Sequence, residues 1–409
     1  MIKNFLSTIL AAVILAVLPG CEDAPQSSGG TDPVVPETPS DPSSRPSGKT
    51  RTVLVYMVAS NNLGNVYDKN DLAEMKAAAS DIVNGTLLVY HVPRRAADPI
   101  RLYEIKPDGT EHVVKTYDAS EPSVSVKRMR RVWADAKEYA SADSYGMVLW
   151  SHGNGWLVDG MTDADAPVTF SYGQDNGKKM NTSALAVALE GQGLDFIYFD
   201  CCLMMSAEVL YDLRGCAPYI AGSVTELPVD GMRYDLNIKP FFSESPREAM
   251  IKAADNTFVH YNTQLDPADR TCSMSVVDTS KIPALAEATR LVYETSTFPA
   301  PAGYAPQRFT APSFGKCYYF DLAHYVDAIA TDTQALARWH NAIDEAVIYK
   351  NCTPRLWDEI ALDTHCGIST YIFSSEQTAA TKGYNTTAWY SDVASALLGK
   401  ASLPSVPLD

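Results

Sequence analysis

The sequence predicts an α/β protein, an open three-layer αβα sandwich around a mostly parallel central sheet. Short runs of apolar, often β-branched residues alternate with segments of helical periodicity. That alternation is typical of right-handed βαβ units, whose strands pair in parallel. Runs such as Thr52–Val58 and Tyr145–Trp150 are apolar at most positions, which indicates strands that are buried within the fold.

In the N-terminal half, turn and cap residues separate the predicted elements. Thr52–Val58 ends at the polar loop Ala59–Asn62, and the turn Pro107–Gly109 predicts a hairpin. Asn181–Ser183 predicts the cap of the next helix. In chain order, the predicted elements are strand 52–58, helix 72–79, strand 86–90, hairpin strands 102–105 and 113–116, helix 124–139, strand 145–150, helix 184–190, strand 194–199, helix 204–213 and strand 219–222.

The C-terminal half continues the alternation with more helix. Its predicted elements are helix 246–261, strand 273–277, helices 282–294, 320–329 and 333–349, and strand 367–372. A stretch of roughly 360 residues is long for a single core. We therefore divide the folded part, residues 51–400, into a core of about residues 51–240 and added C-terminal α/β elements over about 241–400.

The N-terminal segment predicts export. Lys3 precedes the apolar run Phe5–Leu18, which is interrupted only by Ser7 and Thr8 and is too short to span a bilayer as a mature helix. The run ends at Leu18-Pro19-Gly20-Cys21, which resembles the cleavage site of bacterial lipoproteins. We expect residues 1–20 to be a signal peptide and Cys21 to carry the lipid. An ordinary secretory signal is the alternative, because proline is unusual at position 19.

A polar tether follows the predicted lipid-bearing cysteine. Residues 21–50 are rich in proline and serine and contain too little apolar surface to offset the entropy of ordering. Glu22-Asp23 resembles the surface-export signals of some bacterial lipoproteins, although a plain polar linker is the alternative. We expect the chain to be exported and lipid-anchored to an outer membrane, with cell-surface exposure as one possible outcome.

Charge and cysteine usage exclude some classes of function. The chain has 49 acidic and 33 basic residues, a formal net charge of -16, and no basic stripe, so nucleic acid is not an expected partner. Seven cysteines remain after Cys21, an odd number with no close Cys-x-x-Cys spacing. We therefore assign no disulfide and leave the pairing open, and the spacing does not indicate a cysteine-ligated zinc or redox site.

A histidine and a cysteine follow two of the predicted buried strands. His152 comes after strand 145–150, and Cys201 and Cys202 come after strand 194–199. An open α/β sheet places its chemistry at this edge, and a cysteine nucleophile needs a partner base and a lowered pKa. The N-terminus of the helix predicted from Met204 would favour a thiolate. Gly153, without a side chain, and Cys202 would offer backbone N–H groups to an oxyanion.

Two motifs carry a family resemblance. His152-Gly153-Asn154-Gly155-Trp156 and Asp200-Cys201-Cys202-Leu203-Met204 resemble the His-Gly-x-Gly-Trp and Asp-Ala-Cys-Leu-Met motifs of the clostripain family of cysteine peptidases, C11. The resemblance extends from Arg51 to about Gly399. It implies a caspase-like fold and a cysteine endopeptidase with a Cys–His dyad that cleaves after arginine or lysine. Cys202 matches the nucleophile, His152 the histidine, and Cys201 the family's alanine.

The resemblance also suggests a specificity pocket. Asp200 and Asp230 match the acidic positions of the family's primary pocket, and paired carboxylates suit a guanidinium or ammonium group. Taken singly, Asp200 is as well explained as a helix cap and Asp230 as the first residue of an Asp-Gly turn. Two departures bear on the pocket: Met232 replaces a common tryptophan, and Asn61 replaces a frequent acid.

Maturation and metal dependence are family properties that the sequence leaves open. Several family members cut themselves between the histidine and cysteine strands, where Lys178 and Lys179 are the basic residues of this chain. We expect any such cut to follow one of them; an uncut solvated turn is the alternative. Calcium dependence occurs in part of the family, but the acids Asp159, Asp163 and Asp165 lack EF-hand spacing. We assign no metal site and expect no cofactor.

The chief alternative function is a surface lipoprotein that keeps this fold as a binding module and has lost activity. The presence of His152, Cys202, Asp200 and Asp230 together argues against it, because an inactive site does not need all four. A serine hydrolase and a zinc peptidase are disfavoured, since the sequence contains neither Gly-x-Ser-x-Gly nor His-Glu-x-x-His.

Overall fold

The computed structural model describes residues 50–157, 172–243 and 245–399. Three sequence predictions lie outside these residues: the signal peptide with Cys21, the tether before residue 50, and the acidic segment with Asp159, Asp163 and Asp165. No helix in the described ranges combines the length and the apolar composition needed to cross a bilayer.

A mixed β-sheet runs through the middle of the molecule. Its central strands are those predicted from the apolar runs, and antiparallel strands extend it at both edges. The strands are β1 (Arg51–Val58), β2 (Gly85–Val92), β3 (Ile100–Ile105), β4 (Glu111–Tyr117), β5 (Ser144–Trp150), β6 (Tyr172–Asp175), β7 (Lys178–Met180), β8 (Phe196–Asp200), β9 (Tyr219–Gly222), β10 (Ser273–Asp278), β11 (Phe320–Asp321), β12 (Val347–Cys352), β13 (Arg355–Leu356), β14 (Ile360–Ala361) and β15 (Ser369–Thr370).

Within the described residues, nine strands form this sheet in the order β12-β10-β9-β8-β5-β1-β2-β3-β4. The five central strands, β9, β8, β5, β1 and β2, pair in parallel. The pairs at both edges are antiparallel. The predicted parallel sheet is therefore confirmed at the centre, while both edges are antiparallel: β3 and β4 extend one edge, and β10 and β12 extend the other.

Helices cover both faces of the sheet, which confirms the three-layer architecture. The helices are α1 (Tyr67–Ala77), α2 (Val126–Tyr139), α3 (Thr182–Leu189), α4 (Ala207–Leu213), α5 (Tyr234–Phe241), α6 (Pro246–Asn262), α7 (Ile282–Thr295), α8 (Leu322–Ile329), α9 (Thr333–Ala346), α10 (Glu376–Ala379) and α11 (Ala388–Asp392). Helices α1, α5 and α6 contribute to one apolar core, whereas α2, α3, α4 and α7 contribute to the other. Strand β1 sends alternate side chains to the two cores, as its pleat requires.

Several predicted elements differ in the structure. Helix α1 begins at Tyr67 rather than at residue 72, and the strand predicted over 367–372 is reduced to Ser369–Thr370, which pairs with β11. Two other differences have a clear cause. The helix predicted from Met204 begins only at Ala207, because the N–H groups of Leu203 and Met205 bond to the carbonyls of Thr225 and Ser223. The helix predicted to reach residue 349 ends at Ala346, and Val347–Cys352 instead pairs with β10 as an edge strand. In both places, pairing with a distant segment overrides the local helical pattern.

Candidate active site

Strands β5 and β8 bring the predicted histidine and cysteine to one edge of the sheet. The two strands pair in parallel, with Trp150 opposite Asp200. His152 and Cys202 each lie two residues beyond that pair. Both line a cavity of about 50 Å³, together with Trp150, Ser151, Asp200 and Leu227. The structure therefore brings together the two residues that the sequence singled out.

The half-buried imidazole of His152 is held by an asparagine. Its Nε2 lies 2.7 Å from Asn62 Oδ1 and donates to it, so Nδ1 is the basic nitrogen of the neutral ring. Burial lowers the pKa of His152 below its usual value, which favours the neutral form. Asn62 was not among the predicted site residues, because the polar loop after β1 contains two adjacent asparagines that nothing local distinguishes.

Cys202 is held as a neutral thiol. The Leu227 N–H donates to Sγ over 3.4 Å, and the thiol points back towards the Leu227 carbonyl at 3.8 Å. Burial, reinforced by the carboxylates of Glu226 and Asp200, raises the pKa of Cys202 to about 12. The expectation that a helix N-terminus lowers this pKa is therefore wrong, because α4 begins five residues further along, at Ala207.

Cys201 has a different environment from its neighbour. Its thiol is buried and donates to the Leu149 carbonyl over 3.0 Å. Burial raises the pKa of Cys201 well above its usual value. The side chain belongs to the core on one face of the sheet, as expected for a position where a small apolar residue suffices.

Gly153 lies against the cysteine turn. A Cβ at this position would be 2.5 Å from the Cys202 carbonyl oxygen and 2.7 Å from the Cys201 Cβ. Both distances are too short for any side chain, so only glycine permits this approach. The backbone of Gly153 therefore reaches the immediate neighbourhood of Cys202, where the sequence analysis expected an oxyanion to be stabilised.

Asp200 lies beneath the turn that contains Asp230. Its side chain is only 6% exposed, and Oδ1 accepts a hydrogen bond of 3.0 Å from the Met232 N–H. Gly231, at φ +59°, covers this carboxylate so closely that a Cβ would lie 2.6 Å from Oδ1. Burial raises the pKa of Asp200. The alternative role as a cap of the next helix does not apply, because Ser206 caps α4.

Asp230 is exposed and faces a second, larger cavity of about 330 Å³. Pro228 lines this acidic cavity as well as the small cavity beside Cys202, so the two adjoin. The acidic cavity is lined by Asn70, Asp71, Glu74, Pro228, Asp230, Arg233, His260, Tyr261, Gln264, Asp269 and Trp357. The two predicted pocket acids thus line two adjoining cavities rather than a single one.

Asp71 is a buried acid that the sequence analysis missed. It lies on α1 and accepts a hydrogen bond of 2.6 Å from Trp150 Nε1. Burial, together with the carboxylates of Asp200, Glu74 and Asp230, raises its pKa. A single acid in a helix about 130 residues before Asp200 gives no local sign of this proximity; only the parallel pairing of β1 and β5 creates it.

The two departures from the family pattern have clear positions. Met232 is fully buried in the core between the sheet and α5, so it does not form a rim. Asn61 donates through Nδ2 to the Val58 and Gln174 carbonyls and accepts from the Leu63 N–H. An acid at position 61 has no donor for those two carbonyls, so asparagine suits this loop.

Lys178 and Lys179, the predicted cleavage sites, lie in β7. Strands β6 and β7 form a hairpin that turns at Asn176-Gly177, both of which have positive φ. Lys178 is exposed directly after the turn, and Lys179 is half-buried. The hairpin is anchored by Asp175, which accepts hydrogen bonds from Ser60 Oγ and the Ser123 N–H.

Over the ranges that the structure describes, no cluster of three or more histidine, cysteine or carboxylate side chains is arranged to hold a metal ion. The cysteines in those ranges are all free thiols.

Comparison with known proteins identifies the family. The sequence profile of the clostripain family, Peptidase_C11, matches residues 55–395. A secreted C11 cysteine protease from Bacteroides thetaiotaomicron, solved with an irreversible peptide inhibitor, is 31% identical, with a TM-score of 0.71 over 84% of this chain and 99% of that chain. No curated protein sequence matches the chain significantly.

Two further solved structures share the fold. An inactive zymogen C11 protease from Parabacteroides distasonis is 27% identical, with a TM-score of 0.72 over 85% of this chain and 99% of that chain. A second secreted C11 protease from Bacteroides thetaiotaomicron, named iotapain, has a TM-score of 0.73 at 22% identity, over 86% of this chain and all of that chain. With its motifs, its sheet order and the profile match, the chain belongs to the clostripain family and is a cysteine-type peptidase of caspase-like fold.

Proposed function

We propose that this protein is an endopeptidase that cleaves after arginine or lysine, with Cys202 as nucleophile and His152 as general base and acid. The observation that carries the proposal is the β5–β8 register, which places both side chains two residues beyond the Trp150–Asp200 pair and around one cavity. Cys201 is disfavoured as the nucleophile because its thiol is buried against Leu149.

The geometry favours proton transfer during the attack rather than a resident thiolate. With its pKa raised to about 12, Cys202 is a neutral thiol at neutral pH, and His152 is a neutral base. As Sγ forms a bond to the scissile carbonyl carbon, His152 Nδ1 takes the thiol proton, and the carbonyl oxygen becomes an oxyanion near the Gly153 and Cys202 N–H groups.

The second half of the reaction returns that proton. The imidazolium protonates the leaving amine as the peptide C–N bond breaks, which leaves a thioester on Cys202. Water then attacks the thioester carbonyl while His152 accepts a proton from it, and the second product leaves with its new carboxylate. Asn62 holds the ring through Nε2 during both transfers.

Basic specificity follows from the acids around the site. Asp200 lines the cavity beside Cys202, and Asp230 lines the adjoining acidic cavity. A carboxylate within reach of a substrate ammonium or guanidinium stabilises it through a charge-assisted hydrogen bond. We infer that the substrates are proteins or peptides with arginine or lysine before the scissile bond.

We also infer export, anchoring and maturation. The signal peptide, Cys21 and the polar tether support a lipid anchor at an outer membrane, and relatives are described as secreted. One relative is described as an inactive zymogen, which supports maturation by cleavage. In this chain that cleavage would follow Lys178 or Lys179, next to the exposed turn of the β6–β7 hairpin.

The decisive experiment compares two matched variants, Cys202→Ala and Cys201→Ala. Peptides that end in Arg, Lys, Asp or Leu before the scissile bond report kcat/KM. We expect Cys202→Ala to lose about 10³-fold or more for the basic peptides, because it removes the nucleophile. Cys201→Ala should stay within about threefold, because a small apolar side chain fits that position.

Three results would contradict the proposal: hydrolysis by Cys202→Ala, a preference for the acidic peptide, or retained activity after His152→Ala. Peptide binding by the wild-type protein without any turnover would favour the alternative of a binding module.

A further inference from the structure

We propose that Asp71 determines substrate specificity: its carboxylate acts with Asp200 and Asp230 to bind the cationic group of the residue before the scissile bond. This inference rests on the proposed function and deepens it. Asp71 is 3% exposed and is fixed by the hydrogen bond from Trp150 Nε1. Trp150 itself lines the cavity that contains Cys202. The Trp150 side chain therefore connects Asp71 to the active-site cavity, through one hydrogen bond.

Asp71 lies near both acids that the sequence identified. The charges of both Asp200 and Asp230 act on it, although these two residues line different cavities. Asp71 lines the acidic cavity of about 330 Å³, which is in the range of small-ligand pockets, roughly 300–1,000 Å³. The cavity of about 50 Å³ beside Cys202 is far below that range. Of the two cavities, the acidic cavity lined by Asp71 is therefore the one large enough for a long basic side chain.

Some carboxylates of this region are paired with a cation and others are not. Glu74 is paired with Arg233 at 2.8 Å, and Arg233 also binds Asp235. Among the described residues, neither Asp71 nor Asp230 has an ion-pair partner. Buried acids are normally paired, because an unpaired buried charge is costly. The acidic cavity therefore contains carboxyl groups without a cationic partner, and a basic ligand would supply one.

A second observation concerns the remaining capacity of Asp200 to accept hydrogen bonds. Its buried carboxylate accepts from the Met232 N–H, and the buried Tyr234 hydroxyl beside Oδ2 interacts with it as a side-chain donor. A carboxylate has about four lone-pair sites, so this pair of donors does not saturate it. A substrate donor reaching past Cys202 would bind the remaining sites.

The protonation of Asp71 fits this role. In the empty site, burial and neighbouring acids raise its pKa, which favours the protonated form. A cation placed beside it favours ionisation, so a basic side chain would convert the neutral acid into an ion-pair partner and release a proton.

The test measures how strongly the enzyme prefers a charged over a neutral residue before the scissile bond, rather than activity alone. Asp71→Asn keeps an oxygen that accepts from Trp150 and removes the ability of the side chain to ionise. Two peptides serve as probes, one with arginine before the scissile bond and one with citrulline, its neutral isostere. We expect the ratio of their kcat/KM values to fall about tenfold or more in Asp71→Asn, mainly through KM for the arginine peptide.

Asp68→Asn is the matched control. Asp68 lies on the same helix and is equally buried, but it pairs with His91 and lines a cavity on the other side of α1. We expect this variant to keep the wild-type ratio. Asp71→Glu, which restores the charge, should recover most of the discrimination and covers the case in which Asp71→Asn does not fold.

The outcomes separate the two proposals. If the wild-type enzyme does not prefer arginine or lysine, the proposed function fails, and this inference fails with it. If the wild-type enzyme prefers them and Asp71→Asn lowers both peptides equally, Asp71 is only structural and the inference alone fails. An unchanged ratio in a folded Asp71→Asn variant overturns it as well.

Discussion

At the scale of single residues, the environment of Cys202 has a measurable consequence. A thiol with a pKa of about 12 is ionised to roughly one part in 10⁵ at pH 7. The rate of Cys202 alkylation by iodoacetamide should therefore rise about tenfold per pH unit from pH 7 to pH 10. Mass spectrometry of the Cys202 peptide measures this rate, with a free cysteine peptide as reference. A plateau below pH 9 would contradict a raised pKa for Cys202.

Asp71 gives a prediction about stability and pH. Its pKa is raised in the folded protein by burial and by Asp200, Glu74 and Asp230, while Trp150 opposes the shift. The stabilisation from its bound proton is therefore present below the usual carboxyl pKa and is lost as the pH rises towards and through neutrality. Asp71→Asn, which does not titrate, should be more stable than wild type at pH 8, by about 1–3 kcal/mol.

Urea unfolding at pH 4, 6 and 8 measures this effect. The advantage of Asp71→Asn should grow from near zero at pH 4 and be largest at pH 8. A constant difference across the series would show that Asp71 titrates as it does in the unfolded chain. A gain in stability with a loss of arginine preference would be the usual trade between a strained site and a stable fold.

Part of the candidate active site could be predicted from the sequence. The motifs indicated His152, Cys202 and Gly153, because each follows a strand whose apolar run is evident. Asn62 and Asp71 were missed, because a polar loop residue and a helical acid give no local sign of their partners. The same holds for the pKa of Cys202: it depends on the Leu227 N–H and on the charge of Glu226, both from a loop after the next strand.

At the scale of elements, the β6–β7 hairpin connects the first loop to the catalytic strand end. Asp175 binds Ser60 and Ser123, while Gln174 bonds to Asn61 and to Ser151, next to His152. An amide at position 175 would place an NH₂ group against one of these donors. Asp175→Asn should therefore cost about 1–3 kcal/mol and lower kcat/KM.

Limited trypsin digestion tests the hairpin directly. Cleavage after Lys178 should be faster in Asp175→Asn than in wild type, because the loosened hairpin exposes its backbone to the protease. Lys178→Gln in the same background identifies the cut. Equal digestion and equal unfolding midpoints would show that Asp175 does not anchor the hairpin.

The element boundaries show where sequence patterns lose their predictive power. The buried strands and long helices exist where the sequence predicts them, but several of their ends differ. The start of α4 and the end of α9 each differ by three residues, because each is decided by a backbone partner far away in the chain. Such partners, Thr225 for Leu203 and β10 for β12, are invisible to a periodicity confined to neighbouring residues.

At the scale of the whole molecule, the C-terminal residues support the cysteine turn. Strand β10 supplies Ser273, whose hydroxyl bonds to Ser223 and to the Val224 N–H. The carbonyls of Ser223 and Thr225 in turn accept from Met205 and Leu203, directly after Cys202. The predicted core of about residues 51–240 thus relies on a strand outside it.

A chain comprising residues 50–243 tests this dependence. It lacks β10 and α6, so the edge of β9 and much of one apolar core are exposed. We expect it to be insoluble or unfolded, whereas residues 50–399 fold. Near-UV circular dichroism and size-exclusion chromatography distinguish the two cases. A folded monomer of the shorter chain would show that the core is independent.

The register between β5 and β8 also limits where insertions and deletions can be tolerated during evolution. His152 and Cys202 stand at equal distances from one cross-strand pair, so one residue added to either stretch would shift a side chain by about 3.3 Å and turn it towards the other face. A substitution in these stretches changes only the side chain at one position, whereas an insertion or deletion moves His152 and Cys202 out of register with each other. Length differences among relatives should therefore fall outside residues 150–152 and 200–202.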